Sequence, residues 1–391
     1  MSGRHTVPRA FPRLPVLGWS AFSGDYAAPI PGVLDARHCR YTISGRAAIV
    51  LALNVLGVKP GEKVLVPTYH SPAMIAPVVQ AGAQPMFYPV TASGGPDLQR
   101  LKQTDLTGVR AMLVTHYFGL PQPMSIVRSF CVAHGFDLIE DCAHAFFGVS
   151  DDWPVGSWGD VAIASLTKFF PVLEGGLIVS TTRSLDRLEL APRGWYGEIK
   201  AAANAIEIGV EHGRFPGLNS LLGGMFNVKN WLRHRARGSV RAPDGNGDQG
   251  GEAVVERLHS SSQPAFAARW IANIVHRSRI VELRRRNYAE LAKRLAQLPG
   301  ARALRDDLPE AAAPYVFPLY VDHPAASYQR LRATGVPIFR WDGVWPGTPA
   351  LDGDHGLDWS THVFQLGCHQ DLSLEDLQAM TDTVRTIIEN S

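Results

Sequence analysis

Lys168 stands where an apolar run ends, in "VAIASLTKFFPVLEGG" (161–176), among Leu166, Phe169 and Phe170. An ammonium in such surroundings is costly unless it is paired or gives up its charge. The segment alone allows two readings. The side chain can carry its head to water along an apolar stem, or it can be an amine held for chemistry. Asp141 bears on the choice. It closes "FDLIED" (136–141), just as Lys168 follows "VAIASL" (161–166), and both runs read as short buried strands. Laid side by side in parallel, such strands bring a carboxylate and an amine to one edge of a sheet. Taken singly, Asp141 serves equally well as a cap on the following turn.

That pair is what pyridoxal 5'-phosphate (PLP) requires. Its aldehyde needs a lysine amine for a Schiff base, and its ring nitrogen needs a carboxylate to stay protonated. A lysine in apolar surroundings also offers more free amine for attack. A phosphate needs a third feature, and "TISGRAAIVLALNVLG" begins a helix with Ser44, Gly45 and Arg46. The free amides of a first turn and the helix dipole favour an anion there, with the Ser44 hydroxyl and the Arg46 charge in reach. The same letters describe an ordinary serine N-cap. Ser165 is a second candidate hydroxyl, or a small residue in a buried strand. In "PTYHSPA" (67–73), Tyr69 or His70 is a candidate to lie against the coenzyme ring or the substrate, or else forms a packed aromatic pair. His144, in "EDCAHAFFG", reads as a contact to the ring oxygen or substrate, or as a structural histidine. For a donor carboxylate the candidates are Arg340 in "PIFRWDG" and His369 with Gln370 in "GCHQDLS". A surface arginine and a capped turn account for these equally. No metal-ligand spacing occurs.

These groups need a scaffold, and the chain supplies one in order. Residues 1–40 read as an irregular Pro- and Gly-rich arm. Residues 41–258 alternate apolar helices (44–58, "SPAMIAPVVQAGA") with short buried strands ("KVLVP", "QPMFYPV", "VRAMLVTHY", "FDLIED", "VAIASL", "GGLIVS"). That order indicates an α/β domain with a largely parallel sheet, whose ligands gather at the carboxyl ends of the strands. An insertion at about 190–255 ends in "APDGNGDQGGE", a linker composition, and reads as a surface insertion with a loose tip. Residues 220–240, with Trp231, Arg233 and Arg235 beside an apolar run, suggest contact with a membrane surface or carrier. A long helical stretch over 263–298 opens the last part, 259–391, a small α+β domain. It contains "YVFPLYV", "SYQRLRATG", "PIFRW" and a final helix entered through "SLED", a capping-box pattern.

The bulk numbers narrow the function. The chain has 391 residues, 46% hydrophobic and 19% charged, with a net charge of +2, which suits a globular protein and disfavours nucleic acid as the main partner. Four cysteines without CxxC spacing read as reduced thiols of a cytoplasmic protein. The basic N-terminal stretch is broken by prolines and lacks a signal-peptide core. No apolar run reaches transmembrane length. No GxGxxG follows an early strand, which disfavours a doubly wound nucleotide-binding oxidoreductase.

Six pieces in order resemble one family: "SGRAAIVLAL", "GVKPGEKVLVPTYHSPAMIAPVVQAGAQPMFYPV", "VTHYFGLPQPM", "LIEDCAHAFFG", "GSWGDVAIASLTKFFPVLEGGLIVS" and "LGCHQDLS". They resemble the DegT/StrS-type PLP-dependent sugar aminotransferases, strongly over 40–180 and less over 260–390. The resemblance implies the type I aminotransferase fold: a large domain with a mixed, mainly parallel sheet and a small C-terminal α+β domain. It also implies a homodimer with active sites at the subunit interface. Lys168 matches the Schiff-base lysine and Asp141 the carboxylate on the ring nitrogen. Ser44 and Gly45 match the phosphate turn, Ser165 the phosphate serine, and His144 a position held by Gln or His. Arg46 stands where Thr is common, Ser165–Lys168 is about two residues shorter than usual, and Ser71 or His70 replaces a stacking aromatic. The implied activity moves an amino group from a donor such as glutamate to a keto acceptor such as a keto sugar. The alternatives are decarboxylation, aldol cleavage, elimination or substitution on the same scaffold, or a regulatory protein that binds PLP without turnover.

Overall fold

The computed structural model describes residues 11–24, 31–226, 261–305 and 307–391. Trp231, Arg233 and Arg235 lie outside the described residues, as does most of 220–240.

The larger sheet is built from β1 (His38–Thr42), β2 (Lys63–Pro67), β3 (Gln84–Tyr88), β4 (Val109–Thr115), β5 (Asp137–Asp141), β8 (Val161–Ser165) and β9 (Gly176–Ser180). A small hairpin, β6 (Val149–Ser150) with β7 (Trp153–Pro154), lies apart from it. The strand order is β1-β9-β8-β5-β4-β2-β3. The pairs from β3 through β8 are parallel, while β9 runs antiparallel to both β8 and β1. The sheet is therefore mixed and mainly parallel. β1 falls where the sequence reading has an irregular arm; its His-Cys-Arg-Tyr-Thr composition carries little apolar signal.

Side chains along these strands alternate between two cores, as the pleat dictates. Val64, Val66, Ala111, Leu113, Ile139, Val161, Ile163 and Ile178 face one apolar cluster, shared with α1 (Gly45–Val55) and α2 (Pro72–Gln80). Leu65, Met112, Val114, Leu138, Ala162, Ala164, Leu177 and Val179 face the other. That second cluster includes residues of α4 (Met124–His134), which follows the single-turn α3 (Leu98–Leu101). Asp141 and Ser165 have the same parity as Ile139 and Ile163. Both strand ends thus address the side on which α1 begins.

Within the stretch read as an insertion, residues 195–211 form a seventeen-residue helix, α5 (Trp195–Glu211). It packs against α6 (Phe266–Ile274). The helical stretch expected over 263–298 is two helices, α6 and α7 (Arg277–Leu295), broken at Val275, which is extended. The His276 amide donates to the Ala21 carbonyl at 3.2 Å, so a contact with the N-terminal segment holds the break.

The second sheet is antiparallel, in the order β10 (Ala301–Ala303), β11 (Val316–Val321), β13 (Val363–Gly367), β12 (Ile338–Phe339). Helices α8 (Pro324–Ala333), α9 (Gly356–His362) and α10 (Leu374–Glu389) accompany it. The capping box is present at α10: the Ser373 Oγ accepts from the Asp376 amide at 3.1 Å, and the Asp376 Oδ2 accepts from the Ser373 amide at 2.9 Å. Among the described residues, no helix is long and apolar enough to cross a membrane.

Candidate active site

The two chemical groups singled out in the sequence arrive together. β5 and β8 are neighbours in parallel register, with Asp141 opposite Ile163. Asp141 ends β5, and Lys168 lies on a 3-10 turn, Leu166–Lys168, directly after β8. The Asp141 Oδ1 accepts from the Ala143 amide at 2.9 Å. Its carboxyl is buried, and burial raises its pKa. The Ala143 hydrogen bond, the Lys168 charge, the His116 charge and the Thr115 hydroxyl oppose that rise without cancelling it. The Lys168 Nζ stands over the Tyr315 ring, 5.3 Å from its centroid.

His144 is brought to the same place. Its ring lies 4.4 Å from that of Tyr315 and 4.9 Å from that of Trp341. Tyr315 precedes β11 and Trp341 follows β12, so the site forms where the two sheets meet. Burial, and then the Lys168 charge, hold the His144 pKa well below its ordinary value. The neutral ring has a buried Nδ1 that makes no hydrogen bond within the described chain. A buried polar atom left in this state marks a place for a further partner.

The first turn of α1 comes up beside the same strand end. Ser44 caps α1, its Oγ accepting from the Ala47 amide at 3.2 Å. A Cβ placed on Gly45 would meet the Ser165 Cβ at 3.6 Å, so α1 starts beside the end of β8. The Ser165 and Thr167 hydroxyls are 3.2 Å apart. Arg46 is exposed. Gly176, which sequence reasoning passed over, makes this approach feasible. A Cβ there would meet the Ser44 carbonyl carbon at 2.4 Å, its oxygen at 2.5 Å and the Gly45 nitrogen at 2.6 Å. All three are backbone atoms and cannot turn aside. Thr167 was also passed over; its place beside a candidate phosphate serine was the available signal.

Other sequence candidates have different neighbours. Tyr69 is fully buried in a cluster with Tyr117, Phe118, Trp341 and Trp359, and its hydroxyl accepts from Gln365 Nε2 at 3.1 Å. His70 Nδ1 donates to the Pro67 carbonyl at 3.0 Å, and its Nε2 accepts from the Trp345 amide at 3.0 Å. His369 Nε2 donates to the Pro12 carbonyl at 3.0 Å while its Nδ1 accepts from the Asp371 amide. Gln370 Nε2 donates to the Phe169 carbonyl at 2.9 Å. Arg340 is paired with Asp342 at 2.8 Å and lies over the Tyr328 ring.

The two imidazoles held by backbone imply a pH effect. Burial lowers His70 and His369 each from 6.5 to about 4. A histidine whose folded pKa is depressed loses stability as pH falls from its unfolded value toward its folded one. Between pH 6.5 and 4 each should therefore cost on the order of 3 kcal/mol. Thermal unfolding at pH 7, 6 and 5 should show a falling midpoint. His70→Gln, with an amide in place of the titrating ring, should flatten that fall.

His116, Glu140 and Cys142 also lie close together, with ligand-type atoms within 4.8 Å. The lone pairs of His116 and Glu140 are already committed. Glu140 accepts from the amides of Gly156, Trp158 and Gly159 and from His116 Nε2, at 2.7–3.1 Å. His116 Nδ1 accepts from the Gln122 amide at 2.9 Å. Burial would raise the Glu140 carboxyl, but the His116 contact and the Gly156 and Gly159 amides outweigh it and hold the pKa below normal. Glu140 pins the 156–159 loop to β5 and so braces the strand that carries Asp141.

The fold is one shared with solved aminotransferase structures. S. venezuelae DesV matches with a TM-score of 0.61 at 19% identity, covering 90% of this chain and 85% of that one. Helicobacter pylori PseC, described as an aminotransferase of pseudoaminic acid biosynthesis, gives 0.62 at 14%, covering 91% and 88%. Residues 26–191 match the model of the DegT/DnrJ/EryC1/StrS aminotransferase family. GDP-perosamine synthase of Vibrio cholerae is 30% identical over 172 residues, 42% of this chain and 47% of that protein. An Acidithiobacillus ferrooxidans UDP-N-acetyl-3-dehydro-alpha-D-glucosamine 3-aminotransferase is 31% identical over 41% of this chain and 44% of its own. The chain thus spans about half the length of the curated relatives it matches.

Proposed function

We propose that this protein is a PLP-dependent aminotransferase that moves an amino group from a donor such as glutamate to a keto acceptor, a keto sugar or a related biosynthetic intermediate. The observation that carries the reading is the delivery of Asp141 and Lys168 to one edge by adjacent parallel strands. The residues fit the coenzyme. The unpartnered His144 Nδ1 can bind a ring substituent. The first turn of α1 with Ser44, Ser165 and Thr167 offers amides and hydroxyls to a phosphate. The buried Asp141 can hold a proton on the ring nitrogen.

When bound, PLP supplies an aldehyde for the lysine amine and a ring that accepts electrons from a carbanion. This chain's own residues do the rest. Lys168 Nζ would hold the aldehyde of the bound coenzyme and, once freed by the donor amine, would serve as the base that carries the proton from the donor's α-carbon. Asp141 would hold a proton on the ring nitrogen. The aromatic wall of Tyr315 and Trp341 excludes water from that proton transfer. Two half-reactions through one site give ping-pong kinetics. The relatives' named substrates, a GDP-sugar product and a UDP-sugar, support a keto sugar as acceptor. A homodimer with shared sites, working in the cytoplasm, completes the reading.

Purified protein with PLP should absorb in the visible, and borohydride should fix the label on Lys168 in a peptide map. Glutamate or glutamine should convert that band to the amine form. Conversion by no amino donor would exclude transamination, and product analysis would then favour decarboxylation, elimination or aldol cleavage. Gly176→Ala, which forces the α1 turn away from β9, should cost about 1–3 kcal/mol of stability and weaken PLP binding by roughly tenfold. A coenzyme titration equal to wild type would remove the α1 turn from the binding site.

A further inference from the structure

A guanidinium buried behind the lysine turn meets only neutral acceptors. Arg284, on α7, has no exposed surface. Its Nη2 donates to the Lys168 carbonyl at 2.6 Å. Its Nη1 donates to the carbonyls of Pro314 and Tyr315 at 3.0 and 3.1 Å, and its Nε to Gln370 Oε1 at 2.9 Å. The guanidinium also lies over the Phe169 ring, 4.4 Å from its centroid. No carboxylate among the described residues forms a salt bridge with it; Asp371 is engaged by Arg279 at 2.9 Å. Burial accordingly lowers its pKa to about 10.

A buried cation of this kind is costly for stability, and an apolar side chain of like volume often serves a core better. What the cation reaches gives the reason for keeping it. One rigid plane is fixed to the backbone from which the Lys168 side chain departs, and to the backbone that carries the Tyr315 ring under the lysine amine. Gln370 extends the grip by one residue, through its bond to the Phe169 carbonyl. The start of the lysine side chain and the surface beneath its end are thereby held to one frame. That frame also joins the large sheet's lysine turn to the segment entering the small sheet.

We propose that Arg284, with Gln370 as its second arm, is a positioning residue that sets where the Lys168 amine stands. The inference rests on the reading of Lys168 as the reactive amine, so its test begins without coenzyme. Competitive acetylation of the unloaded chain with acetic anhydride, followed by peptide mapping, reads Lys168 reactivity against the exposed Lys59. Arg284→Ala, at unchanged circular dichroism, should alter that ratio by about threefold or more, and guanidinium chloride should restore it where equal urea does not. With PLP bound, the pH midpoint of its absorbance band should move, and the rate of amino transfer should fall roughly tenfold or more, mainly in kcat. Should Arg284→Ala fail to fold, Gln370→Met, which cuts the arm to Phe169, should shift the ratio and the midpoint in the same sense. A folded variant with both unchanged overturns the proposal. Wild type that never takes up PLP would overturn the aminotransferase reading instead, while the acetylation ratio would still decide the role of Arg284.

Discussion

Lys168→Ala should abolish amino transfer, with a loss of at least about 10⁴-fold, because in the proposed mechanism one side chain supplies both the covalent link and the proton shuttle. Lys168→Arg should be equally inactive. A guanidinium stays protonated at any working pH and can neither attack an aldehyde nor remove a proton. Neither change should unfold the chain, since Lys168 is only partly buried at the sheet edge. The check is a stopped-flow record of the glutamate half-reaction beside a borohydride label map. A variant within tenfold of wild type, or a label that moves to another lysine without loss of rate, would show that the reactive amine lies elsewhere.

Asp141→Asn should lower the half-reaction on the order of 10²–10³-fold, since a neutral amide cannot hold a proton on the ring nitrogen as the carbanion forms. Its effect on the unloaded chain should run the other way. Burial raises the Asp141 pKa above that of an ordinary carboxyl. A carboxyl shifted upward in the fold contributes stability that is present below its unfolded pKa and lost as pH rises through the folded one. At neutral pH its charge is therefore a cost. Asparagine removes that cost and keeps an acceptor for the Ala143 amide. The unloaded Asn variant should melt at or above the wild-type temperature at pH 7, and the two should converge in acid. PLP should raise the wild-type midpoint more than that of the variant, because the ring cation relieves the buried charge. A variant that melts well below wild type at pH 7 would mean that the Asp141 charge is already compensated inside the protein.

Much of this site was legible because it lies on strand ends. A strand that finishes on Asp141 and another that finishes just before Lys168 announce their edge through apolar period and length. The parallel pairing that unites them follows from alternation with helices. The Ser44 cap and the Ser373 box were readable for the same local reason. β1 and α5 were not. The first is stabilised by pairing along β9 rather than by its own composition, and the second by packing against α6, sixty residues further on. The break at Val275 depends on the contact between His276 and Ala21, which no local pattern encodes.

What the chain's letters determined by themselves was a set of local facts: which runs are strands, where helices begin, and that an amine and an acid finish two of those strands. What the tertiary structure decided was their surroundings. Gly176 is indispensable only because β9 passes against the first turn of α1. Arg284 is the first of three consecutive arginines in the sequence, and only folding encloses it behind the lysine turn. His70, His369 and Gln370 carry functional-looking side chains, yet backbone groups far along the chain or in a neighbouring turn, and for Gln370 also the Arg284 guanidinium, take up their polar atoms. The physical reason is range: propensity and hydrophobic period act within a few residues, whereas close backbone approach and burial are set by segments hundreds of residues apart.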